Sequence, residues 1–154
     1  MKDLVFVLDV DGVMTTGQFL YSESGKEYKI FGPHDNDGLK MLKDKLSIEF
    51  ISADKRGFAI SSKRIVDDMG FNLSLVSSEE RYNYLNEKYD LSRVIYMADG
   101  LYDASILSDC LFGIAPQNAR VEAKTAADYV TPSESAKGAV LDACLIIINK
   151  FDNS

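Results

Sequence analysis

Short apolar runs alternate along the chain with stretches whose apolar residues recur at helical spacing, and this rhythm restricts the fold more than any other property of the sequence. Leu4–Leu8, Ile48–Ile51, Leu73–Val76, Val94–Met97 and Leu111–Ile114 read as strands. Between them, Asp37–Leu46 places Leu39, Leu42 and Leu46 on one helical face. Phe58–Met69 does the same with Ile60, Ile65 and Met69, and Glu79–Tyr89 with Tyr82 and Leu85. Strands separated by helices form βαβ units with right-handed crossovers, which implies a parallel sheet covered on both faces. The fold class is therefore α/β, with three layers.

One segment breaks the rhythm. Gln18–Ser22 and Lys26–Phe31 alternate apolar and polar residues around Glu23-Ser24-Gly25, the pattern of a β-hairpin spanning about residues 18–31. It would emerge just beyond the first strand, as a flap over the strand end or a surface for another subunit.

The 154 residues, 46% hydrophobic and 27% charged, fit a single folded domain over 1–154 with one core. A net charge of −7 and the lack of basic stripes argue against a nucleic-acid surface. Cys110 and Cys144 are far apart and belong to no metal-binding spacing, so they read as buried free thiols in a reducing, cytoplasmic compartment. No basic and apolar leader is apparent, and the run Ala143–Ile148 is too short for a bilayer. It reads as part of a buried closing helix, and no membrane partner is expected.

The chemistry concentrates at strand ends. The first strand delivers Asp9 and Asp11 into a turn at Gly12, and residues two apart on an extended chain point the same way. Two such carboxylates repel unless a cation or a shared proton compensates them, or unless they merely cap the turn in solvent. After the fourth strand, Asp99 and Asp103 are spaced to act on one cation, although each also suits a turn or a helix cap. Ser52 ends the second main strand and opens a helix, where a hydroxyl and free N–H groups suit a phosphate or a simple cap. Oxygen-only ligands select a hard cation, so Mg²⁺ is favoured over zinc. Asp35-Asn36-Asp37-Gly38 fails the register of a calcium loop and reads as turn and capping chemistry, and His34 as a turn residue.

Asp9-Val10-Asp11-Gly12-Val13, Ser52 and Asp99-Gly100-Leu101-Tyr102-Asp103 together resemble the haloacid dehalogenase superfamily of phosphatases, and the resemblance covers essentially the whole chain. The hairpin and Lys137-Gly138-Ala139-Val140 look like its cap-less 3-deoxy-manno-octulosonate-8-phosphate phosphatase subfamily. Phe31–Asp35 and Ile51–Gly57 look closest to the branch associated with acylneuraminate and other nonulosonates. The resemblance implies a Rossmann-like α/β/α core and a phosphorylated keto-acid sugar as substrate. Asp9 would be the nucleophile that forms an aspartyl-phosphate, and Asp11 the acid and base. Mg²⁺ would be held by Asp9, the Asp11 backbone carbonyl, Asp99 and Asp103, with Ser52 on a phosphoryl oxygen. Family members form homotetramers through packed hairpins.

Two positions depart from the family pattern. Where a lysine usually follows the third strand, Arg81 is the corresponding cation, with Lys55 as a substitute from another loop. Ala98 replaces the glycine that often precedes the metal-binding aspartate, and a methyl group there would crowd a strained turn. These departures leave a second reading, a weakly active or non-catalytic scaffold associated with nonulosonate synthesis. A third is a receiver-like phospho-accepting module with Asp54 as acceptor. The Asp-x-Asp-Gly spacing and the hairpin favour the phosphatase.

Overall fold

A computed structural model describes residues 1–153. Six parallel strands form the central sheet: β1 (Val5–Asp9), β4 (Ser47–Ser52), β5 (Asn72–Leu75), β6 (Val94–Met97), β7 (Phe112–Ala115) and β8 (Tyr129–Val130). Their order is β5-β4-β1-β6-β7-β8, so the chain winds outward from β1 through β4 to β5, then crosses to β6 and winds the other way to β8. Such a reversal opens a crevice beyond the carboxyl end of the central strand, where ligands of open α/β sheets bind. In register, Asp9 lies opposite Ile51 of β4, and Leu8 opposite Met97 of β6.

Every residue of β1 is buried, as a strand covered on both faces requires. Its alternate residues feed two cores. Phe6 and Leu8 join Leu39 and Leu42 of helix α1 (His34–Leu42) and Val140, Ala143 and Ile147 of α6 (Ala139–Phe151). Val5 and Val7 join Leu85 of α3 (Arg81–Tyr89), Leu107 of α4 (Ala104–Asp109) and Ala123 of α5 (Val121–Ala126). Asp9 continues the Val5 and Val7 row, which turns it toward the α3 layer.

The hairpin consists of β2 (Thr15–Ser22) and β3 (Gly25–Phe31), an antiparallel pair with Ser22 opposite Gly25. It begins three residues earlier than the alternation suggested. Helix α2 (Phe58–Ser62) passes into a π-helical stretch over Lys63–Asp68, where the periodicity predicts one continuous helix. Helix α1 starts directly after Pro33 and ends at Leu42, whereas the spacing predicts Asp37–Leu46. Leu46 still reaches the core from the following turn. The two-residue β8 and the six-residue α5 are too short to leave a periodic signal. Among the described residues, no helix is long and apolar enough to cross a membrane, and both cysteines are buried and free.

Candidate active site

Asp9 leaves β1 on the α3 side and meets Arg81, the first residue of that helix. Its Oδ1 accepts the Val10 N–H at 2.8 Å and Arg81 Nη2 at 3.1 Å. The chain then turns through Gly12 at a φ of +80°, and a side chain at this position would collide with the Asp99 carboxylate. The Gly12 and Gly17 N–H groups both donate to Thr15 Oγ1 at 3.1 Å, which holds the turn against Asp99.

Asp99 follows the end of β6, and Asp103 closes the one-turn helix Leu101–Asp103. Asp103 Oδ1 accepts from Tyr96 Oη at 2.6 Å and from Arg81 Nη1 at 2.9 Å, while its Oδ2 accepts the Gly100 N–H at 3.1 Å. Carboxylate oxygens of Asp9, Asp99 and Asp103 all lie within 4.8 Å of one another. Burial pushes Asp99 up to about 8, with the charges of Asp9 and Asp103 adding to the shift. Burial also pushes Asp9 up to about 6 against the opposing pull of Arg81. One arginine does not compensate three carboxylates, two buried and Asp99 half-buried, so the cluster calls for a proton or a cation. Three oxygen donors on rigid elements fit a hard divalent ion such as Mg²⁺.

Ala98 is accommodated without strain. It is fully buried in the α3-side core, its N–H continues the ladder to the Ile114 carbonyl at 3.2 Å, and its φ is not left-handed.

The three acids open on a cleft of about 360 Å³, which Asp11, Ser78, Arg81 and Tyr102 also line. The hairpin contributes Phe19 and Lys26 to the same wall. Ser52 sits beside this cleft rather than on its surface. It is buried, and its Oγ accepts the Asp54 N–H at 3.1 Å. Lys55 is exposed and borders a separate surface hollow with Ala53, Asp54 and Arg56, so the cation facing Asp9 is Arg81 and not Lys55. The loop turns Asp54 inward and Lys55 outward. Asp54 is gripped by Lys26 at 2.8 Å and Lys29 at 2.9 Å, and these bonds hold its carboxyl below the usual range despite burial.

Several site residues escape sequence reasoning. Tyr96 is a polar tip on an otherwise apolar strand, Lys26 and Lys29 look like ordinary polar positions of a hairpin, and Ser78 lies in an unpatterned loop. The first three left a faint signal at most. Asp35, read as turn chemistry, instead lies inside α1 and accepts the Val140 and Leu141 N–H groups at the start of α6, at 3.1 and 3.4 Å.

A doubly wound sheet with its acids gathered at the switch point, and a hairpin in place of a cap, defines a phosphatase of the haloacid dehalogenase type. Residues 79–143 match the haloacid dehalogenase-like hydrolase family. It is 29% identical over 145 residues to 3-deoxy-D-manno-octulosonate 8-phosphate phosphatase KdsC of Haemophilus influenzae, covering 90% of this chain and 79% of the relative. The Escherichia coli K12 protein of the same name is 25% identical over 154 residues, covering 94% and 78%. Among solved structures, the phosphatase of that name from Moraxella catarrhalis, in complex with magnesium, phosphate and KDO, superposes with a TM-score of 0.83. It is 27% identical and covers 98% of this chain and 91% of its own. The cobalt-bound Haemophilus influenzae enzyme gives 0.80 at 25% identity, covering 94% and 86%.

Proposed function

We propose that this chain hydrolyses the phosphate monoester of a keto-acid sugar, a 3-deoxy-octulosonate 8-phosphate or a nonulosonate 9-phosphate such as an acylneuraminate phosphate, through an aspartyl-phosphate on Asp9. The observation that carries this reading is the buried Asp9 carboxylate in the lining of the cleft. Its Oδ1 is pinned by Val10 N–H and Arg81, so the second oxygen is the one for attack on phosphorus. Bond formation from Asp9 to phosphorus accompanies cleavage of the phosphorus–oxygen bond, whose electron pair goes to the leaving sugar oxygen. Asp11 gives that oxygen a proton, and takes one from the water that then releases phosphate from Asp9.

Asp9, Asp99, Asp103 and the Asp11 backbone carbonyl would hold Mg²⁺. When bound, Mg²⁺ offsets the charge of the incoming phosphate and orients it. Arg81 steadies Asp9 and Asp103 and brings a positive charge to the cleft where the phosphate would lie. Ser52, behind the cleft surface, accepts the Asp54 N–H and so fixes the loop that carries Asp54 beside the phosphate. Phe19, Lys26, Leu101 and Tyr102 extend the wall past the phosphate, where a sugar needs contacts that a bare strand end does not supply.

Phosphate release tests the reading. Wild type with Mg²⁺ should turn over the two keto-acid sugar phosphates faster than hexose phosphates, and Asp9→Asn should be inactive. Equal activity of Asp9→Asn removes the nucleophile, and a preference for hexose phosphates removes the substrate class. The exposed Leu20, Tyr28 and Ile30, on the side of the hairpin away from Lys29, support a homotetramer built on this face. A monomeric mass by light scattering at micromolar concentration would overturn it.

A further inference from the structure

The usual alternation is inverted on β3. Tyr28 and Ile30 are 63% and 44% exposed, while Lys29 between them is buried with a fully covered side chain. A buried ammonium is costly unless its charge and its three donors are all met. Lys29 Nζ donates to Ser61 Oγ at 2.7 Å and to Asp11 Oδ2 at 3.1 Å. It also lies 2.9 Å from Asp11 Oδ1 and 2.9 Å from Asp54 Oδ2. These last two are charge contacts off the hydrogen-bond direction.

Lys26 reaches the same Asp54 oxygen, Oδ2, at 2.8 Å, and the Gly57 N–H donates to Asp54 Oδ1 at 3.1 Å. A side chain at Gly57 would collide with Asp54, Lys29 and Lys26, so the segment after β4 is shaped to let the lysines through. Asp54 and Ser61 thus fix the ammonium from one side, and Asp11 is what it holds on the other. Among the described residues, no other group donates a hydrogen bond to the Asp11 carboxylate.

We infer that Lys29 is the positioning residue of the reaction, a fixed post on the hairpin that holds the Asp11 carboxyl where it meets the leaving oxygen. The inference rests on Asp11 as the acid and base proposed above. Placement of the hairpin and delivery of the proton become one event, because the post belongs to β3. The hairpin then serves the chemistry of its own chain as well as forming a wall of the cleft.

Leaving groups separate this role from a structural one. p-Nitrophenyl phosphate expels a stabilised phenolate that needs little protonation, whereas phenyl phosphate relies on the acid. Lys29→Met should lose about 100-fold in kcat/KM on phenyl phosphate, the scale of a misplaced or missing general acid, kcat/KM being the quantity compared throughout because it ends at departure of the leaving group, before the water step that Asp11 also serves. On p-nitrophenyl phosphate it should stay within about fivefold of wild type, with Lys29→Arg intermediate on phenyl phosphate. In an Asp11→Asn background, Lys29→Met should add no further loss.

Equal losses on both substrates, or additive losses in the double variant, would overturn the inference. Should Lys29→Met fail to fold by circular dichroism, Ser61→Ala loosens the same ammonium without removing its charge, and the same comparison decides. If Asp11→Asn itself loses both substrates equally, the acid role of Asp11 fails and the inference with it. If Asp11→Asn discriminates between them and Lys29→Met does not, the inference alone fails.

Discussion

Arg81 reaches Asp9 from the first residue of α3, its Nη2 3.1 Å from Asp9 Oδ1 with both side chains nearly covered. The same guanidinium holds Asp103 through Nη1 at 2.9 Å. A planar fork can tie two carboxylates at once, and a lysine in its place would be a point charge between them. Arg81→Met should therefore reduce kcat by about 100-fold or more, as loss of an electrostatic clamp does. It should also destabilise the Mg²⁺-free protein by about 3 kcal/mol, because two buried carboxylates lose their partner. Arg81→Lys should fall between. Chemical denaturation in EDTA alongside phosphate release measures both, and an unchanged midpoint for Arg81→Met would contradict the clamp.

Mg²⁺ binding should release protons. Burial raises Asp9 to about 6 and Asp99 to about 8, both above their unfolded range near 4. In the metal-free protein their contribution to stability is full below about pH 4 and is lost as pH rises through those folded values. A cation offsets that loss, so Mg²⁺ affinity should climb up to about tenfold per pH unit between 6 and 8. The rise in Tm on adding Mg²⁺ should be larger at pH 8 than at pH 6. Equal increments at the two pH values would count against a proton shared by these acids.

Gly12 should tolerate no side chain. Gly12→Ala would strain a backbone held at a φ of +80° and push a methyl group into the Asp99 carboxylate. The backbone strain alone costs about 1 kcal/mol, and the displaced carboxylate should weaken Mg²⁺ binding by at least about tenfold. Calorimetric titration of Mg²⁺ checks the second effect, and undiminished affinity would refute the close approach.

Asp35 links α1 to the start of α6 through two N–H groups, and burial raises it to about 6. Its contribution to stability is present below the unfolded value near 4 and is lost as pH rises through about 6. Asp35→Asn does not titrate, so the variant should gain on wild type between pH 4 and pH 7.5. Parallel denaturation curves at the two pH values test this, and a stability difference independent of pH would overturn it.

The strand-end acids were legible because each depends on local geometry. An apolar strand with period two fixes which side Asp9 takes, and a following glycine fixes the turn. The βαβ alternation likewise set the parallel sheet, and its register then carried Asp9 and Asp99 to one crevice. Lys55 illustrates the limit, since a cation three residues past a strand has no periodicity to say which way it points. Asp54 turned inward and Lys55 outward only once Lys26 and Lys29 were there to receive a carboxylate.

By itself, then, the sequence determined the α/β class, the hairpin after β1 and the four aspartates at strand ends, all products of spacing along a few residues. The tertiary structure alone decided which cation faces Asp9, that Tyr96 and Arg81 share Asp103, and that Lys29 is buried on Asp11. Those contacts join residues from separate elements, and their stability comes from three-dimensional burial and charge compensation, for which no local pattern exists. Lys29 reads as a solvated hairpin lysine until the fold covers it, and the fold can cover it only because Asp11, Asp54 and Ser61 meet its charge and its donors.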